Sequence, residues 1–210
     1  GWYEGEFKKG RHNGKGVKLY RTGAREAGDF RDGYLHGTGI YVTVNGHRYE
    51  GNFEHGELTA GKLTSTDGVY YEGTFKNWMA NGTGVWNYPN GTVDKGEFKD
   101  GELSGNGRRL YAEGGSQEGE FVNGLLEGKG RQAYSDGAIY EGEFKKGVRE
   151  GHGILRQPSG EAKEGEFRDG MLVQPDNAIT RLVRCLPFSA WPWILLVLTI
   201  SLLANLLLVL

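Results

Sequence analysis

The side chains able to do chemistry in this sequence are few in kind, and most follow a strict period. Five histidines, His12, His36, His47, His55 and His152, fall mostly in turns at different phases of that period, so no metal constellation emerges. The single cysteine, Cys185, excludes an intrachain disulfide and any multi-cysteine zinc site. Carboxylates are plentiful: an acid stands directly before a phenylalanine at Glu6, Asp29, Glu97, Glu120, Glu143 and Glu166, with a base directly after one at Lys8, Arg31, Lys76, Lys99, Lys145 and Arg168. Acid–base catalysis needs a carboxyl group tuned inside a cleft, whereas acids and bases in parallel rows describe a solvated face. Gly-x-Gly pairs recur at Gly14/Gly16, Gly37/Gly39, Gly82/Gly84, Gly105/Gly107, Gly128/Gly130 and Gly151/Gly153. A phosphate loop would require a helix after the glycines or a Gly-Lys-Ser or Gly-Lys-Thr ending, and the sequence offers neither. These residues argue against an enzyme and imply no cofactor and no metal. What remains is recognition by aromatic side chains.

The elements that hold those aromatics repeat. Phenylalanines stand at 7, 30, 53, 75, 98, 121, 144 and 167, spaced by 23 residues except for one interval of 22. A glycine precedes each by two residues, and a glycine follows seven of the eight by three, the exception being Trp78. The third unit reads Ala60-Gly61 in place of Gly-x-Gly and has lost one residue, which accounts for the short interval. Tyr140 to Phe144 alternates, with Tyr140, Gly142 and Phe144 on one face and Glu141 and Glu143 on the other, as a strand requires. A second strand is predicted in each unit, for example Gly16 to Tyr20 or Gly84 to Tyr88. Asn45-Gly46, Asp67-Gly68, Asn90-Gly91 and Asp136-Gly137 signal hairpin turns. A lone hairpin is marginal in water, so the units are expected to stack into one elongated sheet. With the eighth unit truncated after Gly170, about fifteen strands at ~4.8 Å give a ribbon roughly 70 Å long. The glycine column leaves room for tyrosine and phenylalanine rings to lie across the backbone, which is how a single sheet can build a thin core.

Tyr140-Glu-Gly-Glu-Phe144-Lys-Lys-Gly147 followed by Glu150-Gly-His-Gly153 resembles the MORN (membrane occupation and recognition nexus) repeat, over residues 2 to about 171. The resemblance implies a single-sheet β-solenoid acting as a binding or assembly module, as in junctional membrane proteins, cytoskeletal scaffolds and the accessory regions of phosphoinositide kinases and lysine methyltransferases. The lead tyrosine is replaced by Glu26, Asp94, Gln117 and Lys163 in units two, five, six and eight. The aromatic surface is therefore patchy, with candidate partner-binding residues at Tyr49, Tyr71, Trp78, Trp86, Tyr88, Tyr134 and Tyr140.

From Ala190 to Leu210 there is no charge, and Thr199, Ser201 and Asn205 are the clearly polar side chains. Twenty-one helical residues span roughly 31 Å, one hydrocarbon thickness. The expectation is a transmembrane helix, capped by Ser189, with Pro192 in its first turn and Trp191 and Trp193 at the interface. Arg181 and Arg184 precede it and no charge follows, which places the repeats on the cytosolic, stromal or matrix-like side. Asn205 is either a contact to a partner helix or a tolerated polar residue. Cys185 reads as a free thiol sooner than a lipidation site, and Asn81-Gly-Thr83 and Asn90-Gly-Thr92 read as turns sooner than glycan acceptors.

The expected organisation is thus an all-β solenoid of eight ~23-residue hairpins over 1–172, a linker over 173–188 and a transmembrane helix over 189–210. With 37 glycines and 25 aromatics among 210 residues, a net charge of −2 and a pI near 6.3, the chain lacks the footprint of a nucleic-acid binder. The favoured function is a single-pass, membrane-anchored scaffold or accessory subunit of a hetero-oligomeric membrane complex, using its repeats to bind protein. The alternative is a tether whose repeats bind lipid headgroups of a second membrane; balanced charge weighs against it. A first strand opening with Gly1-Trp2-Tyr3 carries no polar cap, so a further segment, a second copy or another subunit is expected to cover that edge.

Overall fold

The computed structural model describes residues 1–173. The expected transmembrane helix and nearly all of the linker, with Arg181, Arg184, Trp191, Trp193 and Asn205, lie outside the described residues. Residues Gly1–Leu172 form one compact unit. Among the described residues, no helix is long and apolar enough to cross a membrane.

Each repeat contributes a phenylalanine-bearing strand and a return strand. The pairs are β1 (Trp2–Lys8) with β2 (Arg11–Leu19), β3 (Arg25–Arg31) with β4 (Tyr34–Val42), β5 (Arg48–Glu54) with β6 (Glu57–Thr64), and β7 (Tyr70–Lys76) with β8 (Met79–Asn87). They continue as β9 (Val93–Lys99) with β10 (Glu102–Leu110), β11 (Ser116–Val122) with β12 (Leu125–Ala133), β13 (Ile139–Lys145) with β14 (Val148–Arg156), and β15 (Ala162–Arg168) with β16 (Met171–Leu172). All pair antiparallel in sequence order into one open, 16-stranded sheet. The eighth repeat therefore closes its hairpin with a two-residue strand, giving sixteen strands where fifteen are expected.

The predicted turns at Asn45-Gly46, Asp67-Gly68, Asn90-Gly91 and Asp136-Gly137 are present, each joining antiparallel neighbours with its glycine at positive φ, but a second and tighter kind of turn lies within the repeats. Two consecutive residues with positive φ, the mark of a two-residue hairpin, occur at Lys9-Gly10, Asp32-Gly33, His55-Gly56, Asn77-Trp78 and their equivalents, directly after the phenylalanine strands. At Asn45-Gly46 only the glycine has positive φ; a longer loop there, closed by Thr43 N–H to the His47 carbonyl, links one repeat to the next.

Return strands are longer because they bulge. Gly5 faces Gly16 and Phe7 faces His12, so Asn13, Gly14 and Lys15 stand opposite Glu6 alone. The bulge aims the first glycine of Gly-x-Gly at the next repeat, where Gly14 faces Phe30, Gly82 faces Phe98 and Gly128 faces Phe144. The shortened β6 leaves only Thr59 as its extra residue, and its ladder with β7 begins at Ala60 opposite Thr74.

Phenylalanines 30, 53, 98, 144 and 167 are each 3% exposed and Phe121 is 1%, on one face of the sheet. Facing glycines run across every strand from β1 to β15, for example Gly73–Gly84–Gly96–Gly107. One side chain roofs each glycine pair. In repeats one, four and seven it is the lead tyrosine: Tyr3, Tyr71 and Tyr140 lie so close over the backbone that a Cβ on Gly84 would collide with the Tyr71 ring. Their hydroxyls donate to the carbonyls of Glu6 (3.0 Å), Thr74 (3.0 Å) and Glu143 (3.2 Å). In repeats two, five and six the roof is a leucine of the return strand, Leu35, Leu103 or Leu126, whose methyl carbons approach the place of a glycine Cβ to 2.9, 2.8 and 3.0 Å. The tyrosine repeats carry His12, Ala80 and Arg149 at that leucine position. Repeat three alone carries both residues: Leu58 is 1% exposed, and Tyr49 is left half-buried.

Candidate aromatic binding face

This roofing rule sorts the predicted aromatic residues. Tyr71 and Tyr140 are fully buried and cannot meet a partner, a correction to their place among the candidates; the glycine column that draws them down explains why. Tyr49, Trp78, Trp86, Tyr88 and Tyr134 are half-buried and fall into three clusters on the phenylalanine face.

The first cluster is built by repeat three's surplus tyrosine. Tyr20 at the end of β2, Glu26 on β3, Tyr41 and Thr43 at the end of β4, Tyr49 on β5 and Trp78 line a recess of about 440 Å³. Tyr41 and Tyr49 stack with centroids 6.2 Å apart, and Trp78 stands 5.1 Å from Tyr49 and 5.3 Å from Tyr41. Trp78 occupies the turn position that is glycine in the other seven repeats, yet it holds φ at 65°. A left-handed backbone costs a non-glycine residue ~1–2 kcal/mol, so the indole is presented over this face at a conformational cost. One Glu26 carboxylate oxygen is buried without a hydrogen-bond partner among the described residues, and Lys18 Nζ is 3.7 Å from it. Burial, then Glu26, pushes the Tyr20 hydroxyl pKa well up; burial, then Tyr41, raises that of Tyr49.

In the second cluster, Trp86 and Tyr88 border an ion pair that closes on itself. Arg109 donates from Nε and Nη2 to both oxygens of Asp94 at 2.7 Å and from Nη1 to the Gly124 carbonyl at 3.0 Å. The Tyr88 hydroxyl donates to Asp94 at 3.2 Å, and Tyr111 donates to Gln117 at 2.8 Å. Asp94 is fully buried. Its hydrogen bonds hold the Arg109 proton more firmly than usual, and burial pushes Tyr88 up to about 12. In the third cluster Arg149 lies over Tyr134, Tyr140 and Phe167, 5.4–5.8 Å from their centroids, and donates to the Gly170 carbonyl. Neither arginine was legible as a site residue. For Arg109 the signal was present: Asp94 reads as a missing tyrosine, but it seats an ion pair with Arg109 on the neighbouring strand β10.

The opposite face carries charge. Glu50, Lys62 and Glu72 stand side by side across β5, β6 and β7, and Arg108, Glu118, Arg131 and Glu141 across β10 to β13. Among the described residues, no three His, Cys, Asp or Glu side chains converge to hold a metal ion.

Comparison with known proteins agrees with the repeat reading. The family described as MORN repeat matches residues 3–25, 27–48, 71–93, 95–116, 118–139 and 140–162, leaving out the shortened third repeat and the eighth. No curated protein matches. Among solved structures, the TCP domain of SAS-4 (dCPAP) of Drosophila melanogaster, in complex with a proline rich motif of Ana2, is 11% identical over 73% of this chain and 90% of that one, with a TM-score of 0.36. A catalytically inactive virginiamycin B lyase from Staphylococcus aureus is 16% identical over 72% and 54%, with a TM-score of 0.17; these scores carry no argument about ligand or activity. The glycine column, the roofing side chains and six matched repeats spanning more than half of the sequence lead to one assignment: the chain belongs to the MORN repeat family.

Proposed function

We propose that this protein is a non-catalytic scaffold or accessory subunit, anchored in a membrane by its apolar C-terminal residues, whose phenylalanine face binds a protein partner. The observation that carries the reading is Trp78. A tryptophan placed where glycine is the unstrained residue, and grouped with the half-buried Tyr41 and Tyr49, fits a contact surface, because a large rigid aromatic buries area on binding at little entropic cost. Alternating charge on the opposite face favours protein over an anionic membrane as the ligand of the repeats. The test is purification of the full chain from its native membrane in mild detergent. Stoichiometric co-purifying subunits are expected, reduced by Trp78→Ala; a lone monomer of 23.2 kDa in its micelle would contradict the proposal.

A further inference from the structure

The repeats allow one site to be read against another. Asp94 in repeat five and Glu26 in repeat two occupy the same position, four residues before the phenylalanine. Tyr88 lies six residues before Asp94 and Tyr20 six before Glu26, each directly after the preceding return strand. On the following strand, Arg109 faces Asp94 and Tyr41 faces Glu26. The two boxes thus share a tyrosine and an acid but differ in the third member. Repeat five supplies a guanidinium and closes; repeat two supplies a phenol ring and stays open as the 440 Å³ recess.

Glu26 is consequently left without the partner its counterpart has. Asp94 receives two guanidinium hydrogen bonds at 2.7 Å, while the cation beside Glu26 is Lys18, at 3.7 Å and 4.5 Å over the Tyr20 ring. The Glu26 side chain is 13% exposed, and one of its oxygens is buried without a hydrogen bond. The aromatic walls meanwhile suit a flat cation. Tyr41 and Tyr49 present rings 23° from parallel, and Trp78 closes the side at 80° to Tyr49. Guanidinium stacks on aromatic faces and pairs with carboxylates in one plane, which an ammonium does not.

We propose that the Glu26–Tyr41–Trp78 recess receives an arginine side chain from the partner protein, which supplies in trans what Arg109 supplies within the chain. This rests on the scaffold reading above and names the chemistry of its contact. Lys18 faces Glu26 from the preceding strand without lining the recess, and its 3.7 Å distance places it outside hydrogen-bond range.

The experiment uses the full chain in maltoside micelles, labelled with fluorotryptophan, the Trp78 resonance being identified by its loss in Trp78→Gly. Acetyl-arginine amide is expected to shift that resonance saturably at millimolar concentration. The isosteric, neutral acetyl-citrulline amide and the non-planar acetyl-lysine amide should each bind at least tenfold more weakly. Glu26→Gln should weaken the arginine probe at least tenfold, and Tyr41→Arg, which rebuilds the repeat-five box, should abolish its effect while the remaining tryptophan resonances hold their positions. Equal response to citrulline, indifference to Glu26→Gln, or an arginine shift that survives in folded Tyr41→Arg would overturn the assignment. Tighter binding of choline than of arginine would overturn it in favour of a quaternary-ammonium headgroup. Co-purification of the same subunits with wild type and Tyr41→Arg sinks the pocket and spares the scaffold reading; arginine binding by a chain that co-purifies with nothing does the reverse.

Discussion

If each glycine pair takes one roof, tyrosine and leucine should be exchangeable within a repeat. Repeat six offers the cleanest exchange: Leu126 is fully buried, with its methyl groups 3.0 Å from where Cβ atoms on Gly119 and Gly130 would lie, and its lead residue is Gln117. Leu126→Ala removes the roof in mid-array and should cost ~3 kcal/mol, the middle of the range for buried leucine truncation. Gln117→Tyr alone should cost ~1 kcal/mol, the hydrogen bond from Tyr111, because Leu126 bars the new ring as Leu58 bars Tyr49. In Gln117→Tyr/Leu126→Ala the ring can descend, as Tyr71 does beside Ala80, and the double variant should lose only ~1–2 kcal/mol. The expected coupling is therefore ~2–3 kcal/mol in favour of the pair. The assay is urea unfolding of residues 1–175, followed by tryptophan fluorescence, with m values compared across the four proteins. Additivity to within ~0.5 kcal/mol would refute the roofing rule.

Other outcomes follow from the same structure. Residues 1–175 alone should be folded and rich in strand by circular dichroism, since each strand of the sheet pairs only with its sequence neighbours; a helical or unfolded spectrum would refute this. Asp94→Asn should destabilise by ~3–5 kcal/mol in the same unfolding assay, because Asp94 is fully buried, the Arg109 side chain is 20% exposed, and the guanidinium would be stranded; Asp94→Leu/Arg109→Met should recover most of the loss. Stability should hold up to pH 10 and fall between pH 10 and 12. Burial raises the pKa values of the buried tyrosines in the folded chain, to about 12 at Tyr71 and Tyr88, so the unfolded state ionises first and draws the equilibrium toward it; stability undiminished between pH 10 and 12 would contradict this.

Much of the fold was legible because a 23-residue period exposes its own deviations. The phenylalanine ladder, the glycine column and the lost residue of repeat three all stand in the sequence as they do in the sheet. The turns were legible in part: the Asn-Gly and Asp-Gly turns that end the repeats stand where they were expected, whereas the two-residue hairpins after the phenylalanine strands use Lys-Gly, Asp-Gly, His-Gly, Asn-Gly or Asn-Trp and share no dipeptide that would have set them apart. Tyr71 and Tyr140 were misplaced for a different reason. Exposure of a ring on a single sheet depends on what stands opposite, and Ala80 or Arg149 lets a tyrosine sink where Leu58 does not. The complementarity of the lead residue with the residue five after each phenylalanine was readable, but only once the strands were paired. Tyr41 and Glu26 likewise become neighbours through pairing of β3 with β4, from sequence positions that share no motif.

The central claim is that the phenylalanine face, and not the charged face, receives a protein partner. A photo-crosslinking side chain placed at Thr43, at the rim of the aromatic recess, can be compared in native membranes with one at Lys95 on the charged face. The account predicts a discrete crosslinked protein band from position 43, lost when Trp78→Ala is added, and none from position 95. Equal bands from both positions, or a band from Lys95 alone, would contradict it.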